Sequence, residues 1–395
     1  MLHRSLLVLG RQPAIGRAEL ESLFGAAHLE PVGESAMASD LLPEAIAFSR
    51  LGSCVRVART VQAIASDDWR SVQTALAAAA TSLAEDVSEG KIQLGISCFG
   101  LKVEPRQLLG AGLTIKKSLR SRGYSVRLVP NQEAALSSAQ VLHNHLTGER
   151  GIELLAVRNG NQVVIARTTA SQDINAYAAR DQNRPKRDAF VGMLPPKLAQ
   201  TLVNLAVAGL SPTEDNVVLD PFCGTGVVLQ EALLMGFGAY GSDLEPRMVD
   251  YSAHNLTWLA TQHGTRPDPA LEVGDATNHH WQHPVTVVAS ETYLGHPLSS
   301  WPTPPKLQEI TGTCNVIIEK FLRNLASQLQ SGQRLCLAIP AWRAPNGHVH
   351  HLPLLDHLED MGYNRVSFEH VRSPELLYYR PDQLVARELL VITRK

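Results

Sequence analysis

Residues 217–246 read VVLDPFCGTGVVLQEALLMGFGAYGSDLEP. An apolar run, Val217–Leu219, ends in an acid and enters the loop Asp220-Pro-Phe-Cys-Gly-Thr-Gly226. An apolar helical stretch follows, and a second short run ends in Asp243. This order predicts strand, loop, helix, strand. Gly224 and Gly226 remove side chains where the chain must turn tightly and where a ligand comes close to the backbone. An acid ending the second strand can accept hydrogen bonds from both hydroxyls of a ribose. A tight turn beside an ordinary surface Asp would explain the glycines, but not the whole constellation. A dinucleotide loop would want a third glycine where Leu229 stands, and it has no need of Asp220.

Working outward, VVLD, AYGSD, LEVGDA, VTVVAS and RLCLAIPAW read as buried strands separated by helical stretches. That alternation predicts a doubly wound, mostly parallel sheet of the α/β class. The end of the chain, NRVSFEHV and LVARELLVITR, reads as an antiparallel pair at one edge of that sheet. Upstream, SLLVLG, CVRVART and KIQLGISCFG read as strands, interleaved with the helical stripes of RQPAIGRAELESLFG and VQTALAAAATSLAED. IELLAVRNGNQVVIARTTA places Asn-Gly between two apolar runs, a hairpin signal. The expected organisation is an α+β region at 1–174, a polar and basic linker at 175–196, and the α/β domain at 197–395.

The composition narrows the class of protein. With 44% apolar residues in 395, the chain can bury ample core, and a formal net charge of −2 argues against a globally basic nucleic-acid binder. Five cysteines without CxxC spacing point to a reducing compartment, and the short N-terminal apolar run is too brief for a membrane span. A cytoplasmic location is expected, with no membrane partner and no metal. Charge is nevertheless clustered. Lys102, Arg106, Lys116, Lys117, Arg120, Arg122 and Arg127 surround one acid, Glu104, and Arg180, Arg184, Lys186 and Arg187 sit in the linker. Each cluster alone reads as a solvated face. Two of them flanking a ligand loop suit RNA, which is recognised largely through phosphate and 2′-hydroxyl contacts.

The pattern D-x-F-x-G-x-G resembles the S-adenosylmethionine loop of class I methyltransferases. That resemblance implies a Rossmann-like domain with S-adenosylmethionine as cofactor. Asp220 would face its methionine end, with Phe222, Gly224, Thr225 and Gly226 forming the loop and Asp243 meeting the ribose. Asp275, ending LEVGDA, falls at the adenine edge or is a turn residue, and Phe222 suits the cofactor or the core equally. Most of the chain resembles the THUMP-containing tRNA guanine-N2 methyltransferases, which act at guanine 10 near the D-stem junction. LLVLGRQPAIGRAELESLF is similar to that family's N-terminal, ferredoxin-like segment, and about 92–170 to its THUMP domain. ARDQNRPKRDAFVGMLPPKLAQTLVNLA is similar to its basic segment and the following helix. The resemblance implies a tRNA-methylating enzyme. It makes Lys116, Lys117, Arg120, Arg122, Arg184, Lys186 and Arg187 candidates for RNA contact. Some relatives in that family need a small activating subunit, on which the sequence carries no signal.

One stretch departs from the family. Members that methylate exocyclic amines carry D/N-P-P-Y/F after the fourth strand. A guanine amine is a poor nucleophile because its lone pair is delocalised into the ring. Acceptors for its hydrogens localise that pair, while an aromatic ring stacks on the base. Here the stretch is Ser290-Glu291-Thr292-Tyr293. Glu291, Ser290 and Tyr293 are therefore the catalytic candidates. Either Glu291 supplies the acceptor from a shifted position, or the site has lost activity or changed its acceptor. A binding protein that has lost transfer, and a methyltransferase acting on another amine, stay as alternatives.

Other signals are weaker. His279, His280 and His283, like His348, His350 and His351, lack companion ligands at metal-site spacing. Cys223 reads as a small residue packed behind the loop, and Tyr378, Tyr379 and Arg380 read either as substrate mouth or as buried edge.

Overall fold

The computed structural model describes residues 3–87, 89–188, 194–265 and 269–395, so positions 189–193 of the expected linker lie outside the described residues. The chain divides into two compact units. Met1–Arg17, Phe24–Ser49 and Ser53–Ala176 form the first; Ala18–Leu23, Arg50–Gly52 and Tyr177–Lys395 form the second.

The first unit runs β1 (Ser5–Leu9), α1 (Pro13–Phe24), β2 (Leu29–Val32), β3 (Ala36–Ser39) and β4 (Cys54–Ile64), with the middle of α1 grouped with the second unit. It continues with α2 (Trp69–Glu85), β5 (Lys91–Phe99), α3 (Pro105–Ser121), β6 (Ser125–Leu128), α4 (Ser138–His143), β7 (Gly151–Asn159) and β8 (Gln162–Ser171). Its strands form one sheet in the order β2-β3-β1-β4-β8-β7-β5-β6. The Asn159-Gly160 turn closes the β7–β8 hairpin, with Gly160 at φ +59°. Val72, Leu76 and Ala80 of α2 and Leu108, Ile115 and Leu119 of α3 are buried against Leu94, Ile96, Ile152 and Leu154. Each such Leu or Ile contributes roughly 1.5–3 kcal/mol by leaving water. That burial at three- and four-residue spacing is why these segments are helices with one wet face.

The division falls within α5 (Ile174–Gln182), a helix at the start of the stretch expected to be linker, and the second unit goes on with α6 (Pro196–Val207). Then follow β9 (Val217–Asp220), α7 (Val227–Leu234), β10 (Gly238–Asp243), α8 (Pro246–His263), β11 (Ala270–Val273), β12 (Val287–Glu291) and α9 (Pro304–Ala326). The chain finishes with β13 (Arg334–Arg343), β14 (Val349–His350), β15 (Tyr363–Arg365), β16 (Leu377–Tyr378) and β17 (Val385–Arg394). The sheet order is β11-β10-β9-β12-β13-β17-β15, with β14 on β13 and β16 on β17. The pairs from β11 to β13 are parallel, and β17 is antiparallel to its partners β13, β15 and β16. The chain winds outward from β9 to β11 and then returns beside β9 as β12. In open α/β sheets ligands bind at the strand C-termini beside such a reversal.

Two expectations shift. Strand β12 starts at Val287 and runs on through Glu291, two residues later and one residue further than the expected VTVVAS. The stretch NRVSFEHV stays in the sheet only to Arg365. Beyond it the amides of Glu369 and His370 donate to the Glu21 carboxylate, at 2.6 and 3.1 Å, so a side chain replaces the strand ladder. Among the described residues, no helix is long and apolar enough to cross a membrane.

Candidate functional site

Strand β9 delivers Asp220 to the reversal, where its side chain is almost wholly buried. Its Oδ1 accepts the Phe222 amide at 3.2 Å and the Ser290 hydroxyl at 2.6 Å. The loop then depends on two glycines in the left-handed region, Gly224 at φ +50° and Gly226 at φ +84°. A Cβ on Gly226 would lie 2.9 Å from Ser252 Oγ, whereas one on Gly224 would meet only the Phe222 carbonyl, at 4.0 Å. Gly226 thus sits tight at the N-cap of α7, and Gly224 opens onto free space. Its amide donates to Asp243 Oδ2 at 2.8 Å, and the Glu245 amide donates to Oδ1 at 3.0 Å. The second strand end is thereby tied to the loop of the first.

That free space is a cavity of about 690 Å³, within the range of small-molecule and cofactor pockets. Asp220, Phe222, Gly224, Thr225, Asp243 and Asp275 line it, together with Leu244, Glu291 and Tyr293. Six of the seven residues expected to bind a cofactor therefore converge, with Gly226 just behind them. Asp275 Oδ1 is occupied by the Thr277 amide and hydroxyl, at 2.9 and 2.8 Å, so it is both a turn residue and a cavity wall. Phe222 also serves twice, lining the cavity and meeting Phe321 edge to face at 5.1 Å.

Burial dominates the electrostatics. It pushes Asp220 up to about 7, against the opposing hydrogen bonds from Ser290 and the Phe222 amide. Burial also raises Asp243, and the amides of Glu245 and Gly224 partly offset this. The Cys223 thiol is pushed well up by burial and by the neighbouring Asp220 and Asp243, which keeps it neutral and inert.

The acceptor side differs from the expected arrangement. Ser290 is fully buried and turned to Asp220, outside the cavity lining, so it does not face the space where an amine would sit. This corrects its place among the catalytic candidates: its hydroxyl serves the loop acid. Glu291 does reach the cavity, and its Oε1 accepts from Arg387 Nε. Burial raises the Glu291 carboxyl, and Arg387 pulls it part of the way back. Where the family has prolines, Thr292 pins the turn: its amide and hydroxyl both donate to the Ala338 carbonyl, at 3.0 and 3.2 Å. Tyr293 follows on the cavity wall, its ring 6.4 Å from that of His296.

The basic clusters divide. Lys117, Arg120 and Arg122 are exposed on and after α3, Lys116 is half-buried, and none of the four forms an ion pair among the described residues. Arg187 is exposed as well. Arg184 is not: it is 3% exposed, with its guanidinium 3.3 Å from Thr225 Oγ1 and 3.4 Å from Asp181. It buttresses the cofactor loop and offers no surface for a phosphate, which corrects its assignment to RNA. Lys186 lies 5.3 Å from the centre of the Tyr251 ring, and its backbone is fastened by Asn255, whose amide also donates to the Thr225 carbonyl at 2.8 Å. The segment read as a loose linker is therefore fastened to the loop.

Arg387, Leu244 and Lys320 escaped the sequence reading. Leu244 is 62% exposed on the cavity wall directly after Asp243, and Lys320 reaches the cavity from α9. An apolar residue following the strand-end acid was the available signal for Leu244. Nothing local marks Arg387, which lies 96 residues from its partner. Of the singled-out histidines, His279 and His283 face Glu272, at 2.7 and 3.8 Å, and His351 pairs with Glu388 at 2.6 Å. Tyr379 lies under the Arg343 guanidinium at 3.6 Å.

Residues 184–290 match the model of the UPF0020 family, described as an RMKL-like methyltransferase domain. Over 162 residues it is 32% identical to the tRNA (guanine(10)-N2)-dimethyltransferase of Methanothermobacter thermautotrophicus, covering 40% of this chain and 43% of that one. The chain spans less than half the length of the curated relatives it matches. Among solved structures, TrmN from Thermus thermophilus covers 100% of both chains at 17% identity with a TM-score of 0.56. SMU.472, solved with SAH, covers 99% of this chain and 98% of its own at 12% identity and 0.52. At such identities the likeness establishes the fold.

Proposed function

We propose that this chain is a methyltransferase that uses S-adenosylmethionine to methylate the exocyclic N2 amine of a guanine in tRNA, at the D-stem junction, position 10. The observation that carries the reading is that a single cavity joins the glycine loop and two strand-end acids to Glu291 and Tyr293. The activity for which the curated relatives are named supplies the substrate class.

The residues present fit that cofactor. Gly224 leaves room that a Cβ would occupy, Asp243 offers carboxylate lone pairs for ribose hydroxyls, and exposed Leu244 offers an apolar face for the adenine. Asp220 would meet the α-amino group. When bound, S-adenosylmethionine supplies an electrophilic methyl on a sulfonium. The chain's own part is to hold the base and manage its amine. Glu291 accepts a hydrogen of the N2 amine and so localises its lone pair, Tyr293 stacks on the ring, and Thr292 keeps both in place through Ala338. The proton that the amine must lose on exchanging a hydrogen for a methyl would pass to Glu291 or to water. The exposed cations of α3, in the THUMP-like part of residues 1–174, dock the RNA.

A second reading has one observation in its favour. Ser290 is fully buried outside the cavity lining with its hydroxyl donated to Asp220, so the position that normally holds the amine acceptor presents none to the cavity. On that reading the chain binds cofactor and tRNA without transferring methyl. Incubation with labelled S-adenosylmethionine and total tRNA, followed by nucleoside analysis, separates the two. Label in N2-methylguanosine supports the enzyme, and binding of both partners without label supports the other.

A further inference from the structure

We propose that Arg387 is a positioning residue for Glu291, and that the carboxylate so held selects guanine over adenine. The inference rests on the methyltransferase reading above and names how that site chooses its base.

The register shows how the pair is built. Glu291 on β12 stands opposite Ala338 on β13, which stands opposite Leu389 on β17, and Arg387 stands opposite Pro340. Cross-strand partners share a face of the sheet. Glu291, Ala338, Pro340 and Arg387 therefore lie on one face, with only an alanine and a proline between the charged pair. Two strand spacings amount to roughly 10 Å, a gap that an arginine side chain crosses and a shorter one does not. Arg387 is 7% exposed, and its Nε–H donates to Glu291 Oε1. Oε2 takes no hydrogen bond among the described residues, and Glu291 lines the cavity.

A carboxylate held in this way is an acceptor only. The Watson–Crick edge of guanine presents N1–H and the N2 amine side by side, two donors for its lone pairs. Adenine presents an amine beside a bare N1 lone pair, which would face the carboxylate with nothing between them. A good bidentate contact of this kind discriminates roughly ten- to hundredfold between bases. The selection requires the anion. Burial and Asp220 on β9 work against it and Arg387 on β17 works for it. Ser290 is turned to Asp220, the Tyr293 phenol lies two residues along, and the facing residue on β13 is Ala338. Removing the guanidinium leaves the anion buried beside another carboxylate, so protonation of Glu291 moves to higher pH.

The test uses the full chain, S-adenosylmethionine, and tRNA carrying either guanosine or adenosine at the target position. For R387M, measured with S-adenosylmethionine saturating at every pH, the acid limb of the kcat/KM profile on guanosine tRNA should move to higher pH with cofactor affinity unchanged. R387K keeps the charge, so it should keep the limb while losing about tenfold in kcat as the directed Nε–H bond to Oε1 is lost. E291Q, whose amide can both donate and accept, should lower the guanosine-to-adenosine ratio ten- to hundredfold. An unmoved limb in R387M, or an unchanged ratio in E291Q, overturns the inference. If R387M does not fold, R387K with full kcat overturns it. Absence of N2-methylguanosine from the unaltered chain would instead overturn the underlying reading, and this inference with it.

Discussion

Ser290 donates a 2.6 Å hydrogen bond to Asp220 between the two strands that flank the reversal of the sheet. The residue standing where an amine acceptor is expected is thus a support for the acid that opens the cofactor loop. Ser290→Ala would remove a hydrogen bond that stabilises the Asp220 carboxylate. It should weaken S-adenosylmethionine binding about three- to tenfold, the equivalent of a net hydrogen bond. Isothermal titration checks this, with kcat at saturating cofactor nearly unchanged.

Asp220 rises from an ordinary 3.8 to about 7 because it is buried. For an acid raised by folding, the neutral form is the stable one. Its contribution to stability is therefore greatest below about 4 and falls as pH rises toward 7. Asp220→Asn, neutral at every pH, should stabilise the protein above pH 7 by at most about 4 kcal/mol, at about 1.4 kcal/mol per tenfold in proton affinity. It should also abolish cofactor binding. Denaturant melts at pH 5 and pH 8 test the sign: the gain belongs at pH 8.

The same carboxyl makes cofactor affinity depend on pH. Meeting the cofactor's ammonium group requires the anion, so the apparent Kd should rise about tenfold for each unit of pH below about 7. A Kd flat between pH 5 and 8 would remove Asp220 from that role.

Gly226→Ala combines a left-handed φ of +84° with a Cβ 2.9 Å from Ser252 Oγ. The backbone alone costs about 1–2 kcal/mol, and the clash adds to it. A lower melting temperature and weaker cofactor binding should appear together.

Arg184→Met and the pair Lys116→Ala/Lys117→Ala should fail in different ways. The first loosens the support of Thr225 and should raise the cofactor Kd while leaving the salt dependence of tRNA binding unchanged. The second should reduce the slope of log K against log salt by roughly 0.7–0.9 for each phosphate no longer neutralised, without affecting the cofactor.

The contrast between these last two variants shows how far the sequence could be read. Lys117 and Arg120 lie on the wet face of a helix whose apolar stripe is plain in the sequence, and their exposure follows from that period. Arg184 has the same composition around it, but Asp181 and Thr225 draw its side chain inward. Composition cannot distinguish a solvated arginine from a buried one, because the difference lies in partners 3 and 41 residues away.

The sequence by itself determined the glycine loop, the two strand-end acids, the alternation of strands and helices, and the hairpin at Asn159-Gly160. Each rests on local chemistry: a φ only glycine adopts freely, a period of two or 3.6, an acid at a strand end. Only the tertiary structure decided the acceptor half. It turned Ser290 away to Asp220, set Thr292 against Ala338 in place of the missing prolines, and brought Arg387 to Glu291. Those pairings form between strands that are one or two places apart in the sheet and distant in the chain, where burial sets the strength of each charge and no local pattern records it.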